Sequence, residues 1–282
     1  MTILAFGAAG QVGRVLAQMP EVTALTRAEA DLSQPGQCDE AIRSLRPKYV
    51  INVAAYTNVD GAESAEELAF RINADAPMEM AQTCADLDVP LVHISTDYVF
   101  DGSGTMARRP DAATAPLNVY GRSKLAGEAG VRAAGGPHAI LRTSWVFDDQ
   151  GQNFLTTMLR LGASRDHLTI VADQIGGPTP ADALATACLV SGRHLMANPG
   201  ATGVYHYAGH PDVSWADFAR AIFEVSGLSC TVEDIPTSDY PTPAARPLNS
   251  RIDCQSFETV FGLQRPDWRA NLAVYLSKYE SP

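Results

Sequence analysis

The stretch Ile3-Leu4-Ala5-Phe6-Gly7-Ala8-Ala9-Gly10-Gln11-Val12-Gly13 decides the fold. Four apolar residues end at a glycine cluster, as a strand buried on both faces does, and the residues from Gln11 to about Met19 read as a helix. Glycines permit a tight turn and close backbone approach. The first turn of the helix presents free N–H groups and a partial positive charge, so strand, turn and helix together form a cradle for a pyrophosphate. A glycine-rich turn alone is weak grounds for that reading. Its place after the first strand of a βαβ unit sets it above a simple connector.

The same alternation continues outward. Strands are expected at 22–25, 49–54, 91–94 and 139–142, separated by helices at 36–45, 62–87 and 119–134. Strands spaced by helix-length segments imply right-handed crossovers and a parallel, doubly wound sheet. Beyond Trp145 the rhythm loosens and prolines gather, around Pro178-Thr179-Pro180 and from Pro236 to Pro247. Helices at 153–161, 181–196, 215–225 and 271–279 and short strands at 168–171 and 204–207 are expected there. The fold class is therefore α/β: a cofactor-binding domain over 1–145, rejoined by about 180–203, and a smaller C-terminal substrate-binding domain over most of 146–282.

Composition narrows the function. The 282 residues, 46% of them hydrophobic, allow one large α/β domain or two modest ones. A net charge of -11 repels polyanions, which argues against nucleic acid and membrane surfaces as partners. The five cysteines are scattered and odd in number, so reduced thiols in a cytoplasmic protein are expected. The apolar run in MTILAFGAAG is too short for a signal peptide and lacks a basic flank. Of 21 cationic residues only Lys48, Lys124 and Lys278 are lysine. A position that keeps an ammonium in so arginine-rich a chain invites a reason.

The end of the second strand selects the cofactor. An acidic residue there holds a ribose 2′-hydroxyl, whereas an arginine accommodates a 2′-phosphate. Twenty positions after Gly7 stands Arg27, so NADPH is the expected cofactor; nearby Glu29 and Asp31 keep NADH possible and leave Arg27 open as a surface charge. Ala54, Ala55 and Tyr56 close the third strand with two small residues, suited either to cofactor approach or to tight helix packing.

Tyr120-Gly121-Arg122-Ser123-Lys124 sets a phenol and an ammonium four apart, on one helix face. A free tyrosine has a pKa of about 10, and an adjacent cation favours its phenolate. A hydroxyl from Thr96 or Ser95, at the end of the fourth strand, could bind a substrate carbonyl together with that tyrosine.

Gly7 to Gly13, Ser95 to Phe100 and Tyr120 to Lys124 resemble the extended short-chain dehydrogenase/reductase superfamily, a Rossmann-like fold. The strings STDYVFDG, PLNVYGRSKLAGE, LRTSWVF, DQIGGPTP and RPLNSRID resemble, more narrowly, the dTDP-4-dehydrorhamnose reductase family. The resemblance implies reduction of a dTDP-4-keto-6-deoxysugar, with Tyr120 as acid-base, Lys124 as its cofactor-binding helper and Thr96 as the third member. Gly10, Gln11 and Val12 would lie on the cofactor pyrophosphate, Asp31 and Leu32 by its adenine, and Ala54 to Tyr56 along its middle. Thr96, Asp97 and Trp145 would meet the sugar nucleotide, and Arg246, Asn249 and Arg251 match a late segment that closes over it. Trp145 could pack its indole on a deoxysugar's apolar face or be a core residue.

Some members of the family are thought to dimerise through a metal held by a glutamate just after the glycine turn. Here that stretch reads Gly13-Arg14-Val15, so no metal is expected, and the chain is a monomer or homodimer. His206-x-x-x-His210 has metal-ligand spacing, but Tyr207, Gly209 and Pro211 favour a strand entering a turn. Asp182, Glu224 and Glu233 read as solvated charges. Two other classes stay open: a non-catalytic NADP-binding regulatory subunit, against which the Thr96, Tyr120 and Lys124 set weighs, and a related sugar-nucleotide epimerase or dehydratase.

Overall fold

The computed structural model describes residues 2–277. The sheet begins with β1 (Ile3–Phe6), buried at every position, followed by α1 (Gln11–Ala17), β2 (Val22–Leu25), α2 (Gln37–Leu45) and β3 (Val50–Asn52). β3 ends earlier than the apolar run 49–54 predicts. Asn52 Oδ1 accepts from the Ala54 amide (3.1 Å), so a side chain takes over from the sheet ladder and turns the chain outward.

The expected long helix over 62–87 is divided. It comprises α3 (Val59–Ala62), α4 (Glu66–Phe70), a π-helical turn at Arg71–Asp75 and α5 (Ala76–Asp86). β4 (Leu91–Thr96), α6 (Val119–Ala133) and β5 (His138–Thr143) follow. β6 (Val146–Phe147), α7 (Phe154–Gly162), β7 (His167–Val171), β8 (Ile175–Gly176) and β9 (Thr179–Pro180) then lead to α8 (Ala181–Ala197) and β10 (Gly203–His206).

β10 lies beside β5, giving six parallel strands in the order β10-β5-β4-β3-β1-β2. One face is covered by α1 and α8, through Leu16, Leu184 and Cys188 against Ile3, Ile51 and Val92. The other is covered by α2, α5 and α6, through Ile42, Met80 and Val131 against Leu4, Val50 and Ile140. With both faces buried, the strands need no polar alternation, which is why they appear as continuous apolar runs. From β1 the chain winds to β2 on one side and to β3 on the other. That reversal opens a crevice outside the carboxyl ends of β1 and β3.

The chain ends with β11 (Val213–Ser214), α9 (Trp215–Ser226), β12 (Thr231–Ile235), β13 (Asn249–Ser250), α10 (Gln255–Phe261) and α11 (Trp268–Ser277). A separate core of Phe147, Leu155, Phe218, Ile222 and Trp268 holds α7, α9 and α11 together. Small sheets β11-β8-β13 and β12-β7 pack against α9 of this core. Lys278 and the last positions of the expected 271–279 helix lie outside the described residues. No helix among the described residues is long and apolar enough to cross a membrane.

Candidate functional site

A cleft of about 920 Å³ runs along the carboxyl ends of the strands. Its floor starts at the glycine turn. Gly7 has φ +100, and a Cβ there would lie 2.8 Å from the Ala54 amide nitrogen; one at Gly13 would run into the Gly7 carbonyl. The first strand, the first helix and the end of β3 therefore meet backbone to backbone, which only glycine allows. No side chain caps α1 at Gly10, and Gln11 Oε1 is buried without a hydrogen-bond partner while its Nε2 donates to the Val146 carbonyl (3.3 Å). Gly10, Gln11 and Val12 line the cleft. Such a cradle, with the first N–H groups of α1 uncapped by any side chain, suits a dinucleotide pyrophosphate.

Arg14, where the sequence lacks a carboxylate, bonds Asp148 Oδ2 (2.9 Å) and the Gln150 carbonyl (3.0 Å), tying the turn to the segment after β6. Among the described residues no group of three or more His, Cys, Asp and Glu is placed to hold a metal. His206 ends β10 fully buried, and His210 lies on the loop beyond it, bridged to Asp267.

At the outer end of the cleft stand Arg27, Asp31 and Leu32. Arg27 pairs with Asp31 (3.1 Å) yet stays three-quarters exposed. Glu29 turns away, accepting from the Thr26 amide and hydroxyl at 2.8 Å each, and those bonds hold its carboxyl below the usual range. Arg27 therefore brings a guanidinium, paired with Asp31 but largely open to solvent, to this end of the cleft. Ala54, Ala55 and Tyr56 line the middle. Their course is held by Asn73, in the π turn, whose amide exchanges hydrogen bonds with the Tyr56 backbone (2.8 and 3.1 Å) and donates to Ser123 Oγ (3.0 Å). Nothing in the sequence singled out Asn73; the interrupted helix is the signal that could have.

Tyr120 and Lys124 lie on the first turns of α6 and face the same cleft as Thr96. Asn118 caps the helix by accepting from the Gly121 amide (2.8 Å), and Glu63, just after α3, accepts from the Val119 amide (2.8 Å). The two hydroxyls differ in their bonding: Ser95 Oγ donates to Glu128 Oε1 (2.6 Å), whereas Thr96 Oγ1 accepts from the Tyr98 amide (3.2 Å) and donates to Asp97 Oδ1 (3.2 Å).

Burial pushes the Tyr120 phenol up to about 12, with the Thr96 hydroxyl opposing. This is the reverse of the shift expected from a neighbouring cation. The ammonium of Lys124 is engaged elsewhere, donating to the Ile94 carbonyl (2.6 Å) and facing His93 Nε2 (3.4 Å), so desolvation wins. Burial also lowers Lys124 to about 8, with Glu128 opposing, and drives His93 well below its ordinary value. Asp97 is raised to about 6 by burial, and its Oδ2 is buried without a partner.

Trp145 follows β5 with φ +49, a left-handed backbone rare for a bulky residue. Its indole stacks on Trp215 (centroids 3.6 Å apart, 13° between planes), and both edge the cleft. Trp215, at the start of α9, had no sequence signal to place it there.

Arg246, Asn249 and Arg251 are not brought to the lining. They belong to a strap over residues 240–252. Arg246 forms a two-pronged pair with Asp60 (3.0 and 2.8 Å), Asn118 donates to the Ala245 carbonyl (2.7 Å), and Asn249 donates to the Met106 carbonyl (2.9 Å). Arg251 is bonded to Asn249 Oδ1 (3.1 Å). Asp182 accepts from the Tyr275 hydroxyl (2.7 Å), and Glu233 pairs with His167 on the surface (3.0 Å); Glu224 is exposed.

The family described as RmlD substrate binding domain matches residues 1–281. The chain is 41% identical over 278 residues to a dTDP-4-dehydrorhamnose reductase of Sinorhizobium fredii, covering 95% of this chain and 94% of the relative. A crystal structure of a dTDP-4-dehydrorhamnose reductase from Clostridium acetobutylicum superposes with a TM-score of 0.92 at 33% identity, covering 99% of this chain and 100% of the other. The Bacillus anthracis enzyme of the same name, solved in complex with NADP, gives 0.91 at 32% identity with the same coverage.

Proposed function

The chain belongs to the RmlD substrate binding domain family, that of the dTDP-4-dehydrorhamnose reductases, and from that membership we propose that it reduces dTDP-4-dehydro-L-rhamnose to dTDP-L-rhamnose with NADPH. The observation that carries the reading is the convergence of Tyr120, Lys124 and Thr96 on one cleft whose other end is the glycine cradle. The residues of the glycine cradle would hold NADPH, which when bound would supply a hydride for the fourth carbon of the sugar.

The chain's own groups handle the proton. As the carbonyl oxygen gains negative charge, Tyr120 Oη gives it a proton. A phenol held at about 12 is fully protonated at neutral pH, so it is loaded for that step. Thr96 orients the carbonyl and hydrogen-bonds the tyrosine. Lys124, an ammonium below about 8, suits the ribose hydroxyls and would steady the phenolate left behind by turning from the Ile94 carbonyl. Asp97 Oδ2, buried and unpartnered, is placed for a sugar hydroxyl, and Trp145 for the apolar sugar face. Gly7, Gly10, Gln11 and Val12 would receive the pyrophosphate, Arg27 the 2′-phosphate, Asp31 and Leu32 the adenine end, and Ala54, Ala55 and Tyr56 the middle. Arg246 and Asn249 would meet the diphosphate by an inward shift of the strap that exchanges their bonds to Asp60 and the Met106 carbonyl.

In this reading residues 1–145 with α8 and β10 form the cofactor unit, and most of the remainder the substrate unit. The five cysteines, all buried as free thiols, suit the cytoplasm. The test supplies dTDP-4-dehydrorhamnose and NADPH and follows cofactor oxidation and product configuration. Tyr120→Phe is expected to lower kcat by about 10²–10⁴-fold with NADPH affinity within about threefold. Near-normal turnover by that variant would refute the assignment.

A further inference from the structure

One helical turn beyond Lys124, on the same face of α6, lies Glu128. Its side chain is completely buried and paired with Arg142 of β5 through two parallel bonds, Arg142 Nε to Oε1 (2.8 Å) and Nη2 to Oε2 (2.7 Å). Ser95 Oγ, one residue before Thr96, donates to the same Oε1 (2.6 Å). Arg142 continues the network, donating to the Pro110 carbonyl (3.1 Å) and lying over the Phe100 ring (5.1 Å to its centroid). Glu128 is thus the point at which the helix carrying Tyr120 and Lys124 is fastened to the strand ends carrying Thr96 and Thr143.

We infer that Glu128, held by Arg142 and Ser95, is a positioning residue of the reductase: it sets α6 against β4 and keeps the Lys124 ammonium charged in a buried site. The inference rests on the reading of Tyr120 and Lys124 given above. A structural staple alone needs no charge here, since a buried ion pair is often no more stabilising than packed apolar residues. What a carboxylate adds is a negative field one turn from a desolvated ammonium. The charged or titratable groups around Lys124 are His93 from β4, which burial keeps neutral, Tyr120 and Glu128 from α6, Asp97 beyond Thr96, and Arg142 from β5 behind Glu128. Glu128 is the one that opposes the downward shift of Lys124.

The scarcity of lysine gives a direct readout. With three lysines in the chain, protein labelled with ¹³C at the lysine ε-carbon yields three resonances, and the buried one can be titrated without cofactor or substrate. In Glu128→Gln, Lys124 is expected to lose its proton about one pH unit lower than in the unaltered protein, and the alkaline limb of kcat to move down equally. Its kcat is expected to fall about 10–100-fold. In Glu128→Asp the charge remains on a shorter arm, so the limb should stay in place while kcat falls about 3–10-fold. An unshifted Lys124 resonance in Glu128→Gln overturns the inference. Should that variant fail to fold, an aspartate variant with unaltered kcat overturns it equally. Tyr120→Phe separates the two failures: an inert Tyr120→Phe with unshifted Lys124 sinks this inference alone, whereas turnover by Tyr120→Phe sinks the reading beneath it.

Discussion

The floor of the cleft and the strap that borders it are built on different length scales. On the floor, Gly7, Gly13 and Ala54 touch backbone to backbone, and the strands beneath them are buried on both faces. The inner strap, from Pro247 on, is likewise held by backbone, pairing β13 with β8 and packing Pro247 on Gly102, whereas its outer part, 240–246, exposes Tyr240 and is tied by side-chain bonds to Asp60 and Asn118. Dense apolar packing resists local opening, while a segment held by a few polar bonds opens at lower cost. On the proposed reading the cofactor end of the cleft is therefore pre-formed, and the outer strap is the part able to adapt to a sugar nucleotide.

The sharpest way to break this contrast is at the floor. Gly13→Val pushes a branched side chain into the Gly7 carbonyl, and the backbone cannot yield without moving the turn. We expect a loss of about 2–4 kcal/mol in stability, read by denaturant unfolding, and at least about a hundredfold weaker NADPH binding by fluorescence titration. A variant that binds NADPH normally would show that the floor is as adaptable as the strap.

At the strap, Arg246→Ala should raise KM for the sugar nucleotide by about 10–100-fold and leave KM for NADPH unchanged. Equal losses for both ligands in steady-state kinetics would mean that the strap supports the floor as well.

Asp97, under the strap beside Ser250, links the two halves through pH. Its folded value of about 6 lies above the ordinary 3.8, so the folded state holds this proton more tightly than the unfolded chain. The resulting penalty is absent below about pH 4, grows between about 4 and 6, and persists above. Asp97→Asn should therefore stabilise the protein by about 1–3 kcal/mol at neutral pH and by nothing near pH 4, measured as Tm against pH, while sugar-nucleotide turnover falls. The smallest effect is expected at the exposed rim, where Arg27→Ala should shift the kcat/KM ratio of NADPH to NADH by about 3–10-fold toward NADH.

The legible part of the site consists of patterns that close within a few residues. The glycine turn, the Tyr120 and Lys124 spacing and the hydroxyls ending β4 all stand in the cleft. The strand over 49–54 was only half legible, because apolar character cannot reveal that the Asn52 side chain would replace the ladder. The direction of the Tyr120 shift is not legible for a related reason: helical spacing puts an ammonium nearby but says nothing of how deeply both groups are buried or that Lys124 turns to the Ile94 carbonyl. Glu128 and Arg142 are unremarkable letters in KLAGE and LRTSW until β4 and β5 become neighbours.

By itself the sequence determined the βαβ beginning, the glycine cradle and the helix face that carries the phenol and the ammonium. These follow from φ preferences and from the i,i+4 repeat, which act within a turn or two of chain. Only the tertiary structure decided which charges meet. Arg246 finds Asp60 across 186 positions, Trp145 finds Trp215, and Glu128 finds Arg142. Strand order sets those encounters, and a charge taken out of water must pair with whatever partner that order brings.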